Sequence, residues 1–230
     1  MVQAPKHDQL AEALVNVVSD PTKVRALHEL LGGFCHQCRN SLNTIKLSLY
    51  LAQRVATEPA DLDWRPLDEG YREVETIFDR LHTLCRPMTL TLIRAPLSLI
   101  FEDRGPTWQN AMSARDAKLT VMSPSDDEPV VGEFDPIRLA QGLDAFVVWR
   151  SELVPFGQPA TLRWGVRDDR FTIDWHEPDV PSRPGSDPSD SLALPLLARI
   201  IAAHGGALAL DHRNGFHLGA NWPLTVRTTL

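Results

Sequence analysis

The sequence predicts an α+β protein in two parts: an N-terminal helical hairpin that forms a dimeric four-helix bundle, followed by an α/β sandwich with helices on one sheet face. Three observations carry this. Apolar residues from Leu27 to Ala52 recur at intervals of three and four, the period of one helix face. A second run of the same kind spans Leu67 to Leu84 and stops before Pro87. Beyond Pro87 short alternating segments interleave with three helical ones, as expected for one layer of strands covered by helices. The resulting boundaries are 1–21 for a short extension, 22–87 for the hairpin and 88–230 for the sandwich.

Taken in order, residues 1–19 read as a short helix broken at Asp20-Pro21. The long helix starts at Thr22. Its stripe of Leu27, Leu31, Phe34, Cys38, Leu42, Ile45, Leu49 and Ala52 is close to coiled-coil spacing. Thr57 to Pro66, with Pro59, Asp61 and Pro66, reads as a loop. The second helix presents Leu67, Tyr71, Val74, Ile77, Phe78, Leu81 and Leu84. One hairpin leaves much of both stripes in water, whereas two hairpins bury them, so the expectation is a homodimer. In the second part, Thr89–Ile93 reads as a strand, Leu97–Ala114 as a helix, and Lys118–Met122 and Val130–Glu133 as strands. Pro136–Leu153 reads as a helix, then Ala160–Arg167 and Phe171–His176 as a β-hairpin around Asp168-Asp169. Pro178–Pro188 is Pro-, Ser- and Gly-rich and reads as a loop. The last helix, Leu194–His204, stops at Gly205-Gly206, and Ala207–Asp211 and His217–Trp222 close the chain as strands.

Composition bounds the function. With 43% hydrophobic and 23% charged residues the chain is globular rather than disordered. A net charge of -7 with scattered arginines argues against nucleic acid and against anionic membranes. The first twenty residues lack a signal-peptide pattern, and no run approaches the ~20 apolar residues of a membrane span. Three cysteines, an odd number, fit a reduced cytoplasmic protein. Any signal is then expected from a soluble partner.

The segment Phe34-Cys-His-Gln-Cys-Arg-Asn-Ser-Leu-Asn-Thr-Ile45 concentrates the chemistry. Residues two apart on a helix lie about 200° around, so His36 turns away from Phe34 and Cys38. Asn40 shares its polar face, near Asn43 and Lys46. A neutral imidazole so placed can serve as a nucleophile.

This segment resembles the H-box of histidine kinases, F-x-H-E-[IL]-R-N-P-L-x-x-I, and sits in the first of two long helices as theirs does. VVGEFDPIRLAQGL (130–143), LLARIIAAHGGALAL (196–210) and GFHLGANWPL (215–224) are similar to the nucleotide-binding helix entry, the last helix with its Gly-Gly turn, and the final strands of that family's ATP-binding domain. The resemblance covers roughly residues 22–225. It implies that His36 is the phosphoacceptor, that Asn40 assists transfer or dephosphorylation, and that the partner is a response-regulator receiver domain.

The departures from the family pattern are equally specific. Gln37 stands where the family usually has an acidic residue, and it cannot act as a base at neutral pH. The two nucleotide-helix asparagines align with Ala145 and Trp149, with Asp144 one residue out of register. The adenine-binding D-x-G-x-G aligns with Glu177-Pro-Asp-Val-Pro181, and the phosphate-cradling G-x-G-L-G-L with Ser189-Asp-Ser-Leu-Ala-Leu194. The lost glycines place side chains where backbone would approach phosphate. Four departures, each removing a different ATP contact, predict a degenerate kinase-type ATPase-like domain with no cofactor and no metal. The resulting expectation is a histidine phosphotransferase that exchanges phosphate with receiver aspartates without ATP.

Two other readings are a non-catalytic, dimeric pseudokinase adaptor and an active kinase with divergent ATP boxes. Cys35-His36-Gln37-Cys38 could suggest zinc or redox chemistry, but Cys38 lies on the apolar stripe, so packing is the expectation. The tryptophans read mostly as core or edge anchors, and Trp149 as filling space a nucleotide would use. His204 reads as a helix-end residue favoured by the dipole, and His212 and His217 as surface residues.

Overall fold

The computed structural model describes residues 13–55, 65, 69–72, 74–75, 84–123, 131–178, 192–213 and 215–225, without the side chains of residues 21, 30–39, 49 and 52–55. The chain divides into two compact units. One is Thr22–Pro87; the other joins Met1–Pro21 to Met88–Leu230.

The first unit is built on helix α1, Pro21–Val55. Proline suits its first position, where the backbone N–H has no intrahelical partner. Its 35 residues give a rod about 50 Å long. Several apolar side chains on it face water: Ile45, Leu47, Tyr50 and Leu51 are all more than half exposed. Residues 69–72, 74–75 and 84–85 are helical. Tyr71 is buried, and the Lys46 ammonium lies 5.2 Å from its ring centroid, so this segment runs beside α1. The loop expected over 57–66 lies outside the described residues except for Arg65, which is helical.

The second unit runs β1 (Ile93–Pro96), α2 (Ser98–Ser113), β2 (Lys118–Met122), β3 (Val131–Phe134), α3 (Pro136–Leu153), β4 (Pro159–Arg167), β5 (Arg170–Glu177), α4 (Ala193–Ala203), β6 (Ala207–Asp211) and β7 (Phe216–Pro223). Five strands form a mixed sheet in the order β2-β4-β5-β7-β6, and β1 pairs with β3. Only the β2–β4 contact is parallel; the other pairs in both sheets are antiparallel. Side-chain alternation explains the layering. Phe171, Ile173, Trp175 and Glu177 on β5, and Phe216, Leu218, Ala220 and Trp222 on β7, are buried, while the residues between them form the opposite face. Aromatic contacts knit the core: Phe171 with Trp222 at 5.4 Å between centroids, and Phe146 of α3 with Trp175 at 5.2 Å.

Turn chemistry sets the connections. Asp168 and Asp169 adopt φ of 51° and 56°, the left-handed pair that a two-residue hairpin needs. Gly205, at φ 73°, terminates α4, with its N–H and that of Gly206 donating back to Ala202 and Ile201. A Cβ on Gly206 would press into the Asn221 carbonyl, so the chain can pass β7 there only without a side chain.

One expectation needs correcting. The first strand begins at Ile93, not Thr89. The Thr91 N–H donates to the Asp135 carboxylate at 2.7 Å, so that segment serves a side chain instead of a strand ladder. Among the described residues no helix is long and apolar enough to cross a membrane.

Candidate functional site

His36 and Gln37 fall on α1, and their side chains lie outside the described residues, as do those of Cys35 and Cys38. Asn40, one turn beyond His36, is exposed. The Thr44 hydroxyl donates to the Asn40 carbonyl at 3.0 Å, and the Ser48 hydroxyl to the Thr44 carbonyl at 2.9 Å. Positions 36, 40, 44 and 48 thus form a polar row at four-residue spacing. Cys85 is buried.

In the second unit, the stretches aligned with the adenine and phosphate boxes fall largely on residues 179–191, outside the described residues. The elements leading into them are described. The inward parity of β5 carries Glu177 to the strand end, and the last turn of α3 brings Arg150 against it. Arg150 Nε and Nη2 donate to the two carboxylate oxygens at 2.7 and 2.5 Å, and Trp175 Nε1 donates to Oε1 at 2.6 Å. Both charged residues are buried. A carboxylate taken out of water needs such a set of donors. The Arg150 guanidinium also lies 3.9 Å from the Phe216 ring centroid and 4.9 Å from that of Trp149. Trp149 packs on Phe146 and Phe216, and its Nε1 is buried without a hydrogen-bond partner among the described residues.

The pair Arg150–Glu177 was not singled out from the sequence, though a signal existed. An acidic residue in register with Phe171, Ile173 and Trp175 faces the core and requires a cation. Asp144 is engaged as well: Arg104 holds it through Nε at 3.0 Å and Nη2 at 2.5 Å, and Trp108 Nε1 donates to it at 2.7 Å. The carboxylate raises the pKa of the Arg104 guanidinium above its ordinary value, through the hydrogen bond first and charge second.

His204 departs from expectation. It is fully buried and does not act as a charged partner of a helix end. The Asp135 backbone N–H donates to its Nε2 at 2.9 Å. Nδ1 must then carry the proton and donate to the Ile200 carbonyl, 2.7 Å away, which defines a neutral imidazole. Burial pushes its pKa below the ordinary 6.5, against smaller opposite pulls from Ile200 and Asp135. The Asp135 side chain caps α3 through the Arg138 N–H at 2.9 Å and also receives the Thr91 N–H. One short network therefore ties α4, the start of α3 and the entry to β1. His217 is about half exposed as expected, with Nε2 3.8 Å from Asp174. Among the described residues no three His, Cys, Asp or Glu side chains converge on a metal position.

No protein-family model and no curated protein sequence matches the chain. Solved structures do. Histidine kinase AdeS of Acinetobacter baumannii is similar at TM-score 0.54 and 12% identity, covering 82% of this chain and 98% of that one. Full-length ShkA, solved in complex with AMPPNP, is similar at TM-score 0.56 and 16% identity over 86% of this chain, which spans 46% of that protein. The catalytic domain of histidine kinase ThkA is similar at TM-score 0.51 and 15% identity, over 59% of this chain and 97% of that domain. At these identities the likeness is one of fold: the chain has the architecture of histidine kinases.

Proposed function

We propose that this histidine-kinase fold works as a phosphorelay histidine phosphotransferase, passing a phosphoryl group between His36 and aspartates of response-regulator receiver domains without using ATP. The observation that carries the ATP-independent part is the Arg150–Glu177 pair. Glu177 aligns with the acid that receives adenine in the family. Here its oxygens are occupied by the chain's own guanidinium, with Trp149 and Phe216 packed around it. With Ala145 and Trp149 at the asparagine positions, these residues do not fit a magnesium nucleotide.

The transfer itself needs little from this chain. A receiver aspartyl phosphate is already activated, so a neutral imidazole nitrogen can attack phosphorus without a strong base at position 37. The P–N bond forms as the acyl phosphate P–O bond breaks, the aspartate leaves as carboxylate, and the imidazole proton passes to solvent. The receiver supplies the metal and acidic pocket. This chain supplies a nucleophile held on a rigid helix, with Asn40 beside it to orient the phosphoryl group or an attacking water.

The same reading makes Thr22–Pro87 a helical hairpin that pairs with a second copy into a four-helix bundle. Its support is the exposure of the stripe residue Ile45 on α1, together with the Lys46–Tyr71 contact.

Phosphotransfer profiling tests the proposal. The chain and its His36→Ala variant are mixed with radiolabelled phosphorylated receivers, with ATP and magnesium alone as control. The expected result is label on the wild-type chain from at least one receiver, none on His36→Ala and none from ATP. Labelling by ATP would make it an active kinase. Silence with every receiver would make it a docking adaptor.

A further inference from the structure

The sheet face turned away from the core holds a groove that the phosphotransfer reading leaves unused. Alternation along β4, β5 and β7 sends Arg163, Arg167, Thr172, Asp174, His176 and His217 to this face. The register sets Arg163 opposite Asp174, Gly165 opposite Thr172 and His176 opposite His217. Together they line a groove of about 420 Å³, a size typical of small-molecule sites. Gly165, without a side chain, leaves it open between the two arginines.

The charge balance is unusual for this molecule. The chain carries a net charge of -7, yet in the groove two guanidinium groups meet one carboxylate. Arg104, Arg150 and Arg213 each hold a carboxylate of their own. The side chains of Arg163 and Arg167 have neither a hydrogen bond nor an ion pair with any described residue. Two unpaired arginines on one strand face in an acidic protein form a local anion-attracting field.

We propose that this groove binds a small dianion, a dicarboxylate or a phosphate monoester, between Arg163 and Arg167. Four residues apart on β4, their Cα atoms are about 13 Å apart, a gap that two long side chains can close onto one compact ligand. Guanidinium forks bind carboxylate and phosphate oxygens in pairs, and the Thr161 and Thr172 hydroxyls along the same groove add neutral donors. Asp174, opposite Arg163 on β5, limits the site to ligands whose charge outweighs its own. A nucleic acid would require a longer run of cations than these two.

Isothermal titration of the full chain with succinate, glycerol 3-phosphate and neutral glycerol tests the site. Saturable binding of at least one dianion and none of glycerol is expected. The ratio of the two affinities tells which oxyanion class the groove prefers. Arg163→Gln and Arg167→Gln should each weaken binding by about tenfold or more, and Asp174→Asn should tighten it. Gly165→Val, which alters no charge and suits a strand, should block it. The proposal is overturned if neither dianion saturates, if the double arginine variant binds as wild type does, or if Gly165→Val leaves binding intact. Circular dichroism on each variant confirms that the sheet persists. His36 labelling is read separately, so failure of this site leaves the phosphotransfer test standing.

Discussion

Helix α1 and the α+β unit treat their apolar and charged residues in opposite ways. On α1, Ile45, Leu47, Tyr50 and Leu51 stand more than half exposed. In the α+β unit, Trp108, Trp175 and Trp222 are at 1% exposure or less, and even its buried charges, Arg150 and Glu177, find each other. The difference separates two tasks. The α+β unit satisfies even its buried charges internally. Helix α1 keeps both its apolar surface and its polar row open to other molecules. On the proposed reading, recognition and chemistry have withdrawn to α1 and left a scaffold behind.

The sharpest way to break this comparison is to remove one partner of the buried Arg150–Glu177 pair. Glu177→Ala leaves the Arg150 guanidinium buried without its counter-charge, and should destabilise the α+β unit by about 3–5 kcal/mol. Chemical denaturation followed by tryptophan fluorescence reads this directly. Replacing both partners, Arg150→Met with Glu177→Leu, should recover most of the loss, since a packed apolar pair avoids the desolvation cost. If Glu177→Ala is neutral, the pair is not what holds the end of β5 against α3.

A smaller effect is expected at His204. His204→Ala removes the acceptor of the Asp135 N–H, a buried group that then goes unsatisfied, at a cost of roughly 1–3 kcal/mol. The Ile200 carbonyl keeps the backbone N–H of residue 204. The pH dependence has a defined sign. Burial lowers the imidazole pKa in the folded protein below the ordinary 6.5, so the unfolded chain takes up the proton first. Stability is therefore intact above pH 6.5 and declines as pH falls below it, levelling only beneath the folded-state pKa. Protonation also sets an Nε2–H against the Asp135 N–H, which has no other acceptor in the network. Unfolding free energy measured between pH 7.5 and 5 should show this slope, and His204→Gln should flatten it.

These two clusters also mark where sequence reasoning stops. Helix α3, strand β2 and the β4–β5 hairpin were legible because their signals are local: periodicity, a proline at a helix start, an Asp-Asp turn. His36 was singled out because its neighbours within one helix form a pattern. His204 was misread because only the carbonyls of its own helix are visible locally, whereas its decisive partner, the Asp135 N–H, is 69 residues away. The same holds for Thr91, whose N–H is claimed by a carboxylate 44 residues on, and for Arg150 and Glu177, 27 residues apart. The groove arginines looked scattered because strand register, not spacing, places Arg163 opposite Asp174. Side chains that satisfy buried groups across the fold leave only a parity signal in sequence.

The mildest change in folding energy should accompany a large change in assembly. Ile45→Ser lies on an exposed turn of α1, so it opens no cavity in the described unit, and it should shift unfolding of the α+β unit by less than about 0.5 kcal/mol. If α1 contributes its stripe to a four-helix bundle, this position becomes buried on pairing, and a serine there removes apolar area from every copy at the symmetric interface. An isoleucine withdrawn from water contributes roughly 1.5–3 kcal/mol. Two per dimer therefore predict a loss of association exceeding about a hundredfold, read as a sedimentation shift from dimer to monomer at micromolar concentration. A dimer that survives the substitution would place its interface away from this stripe.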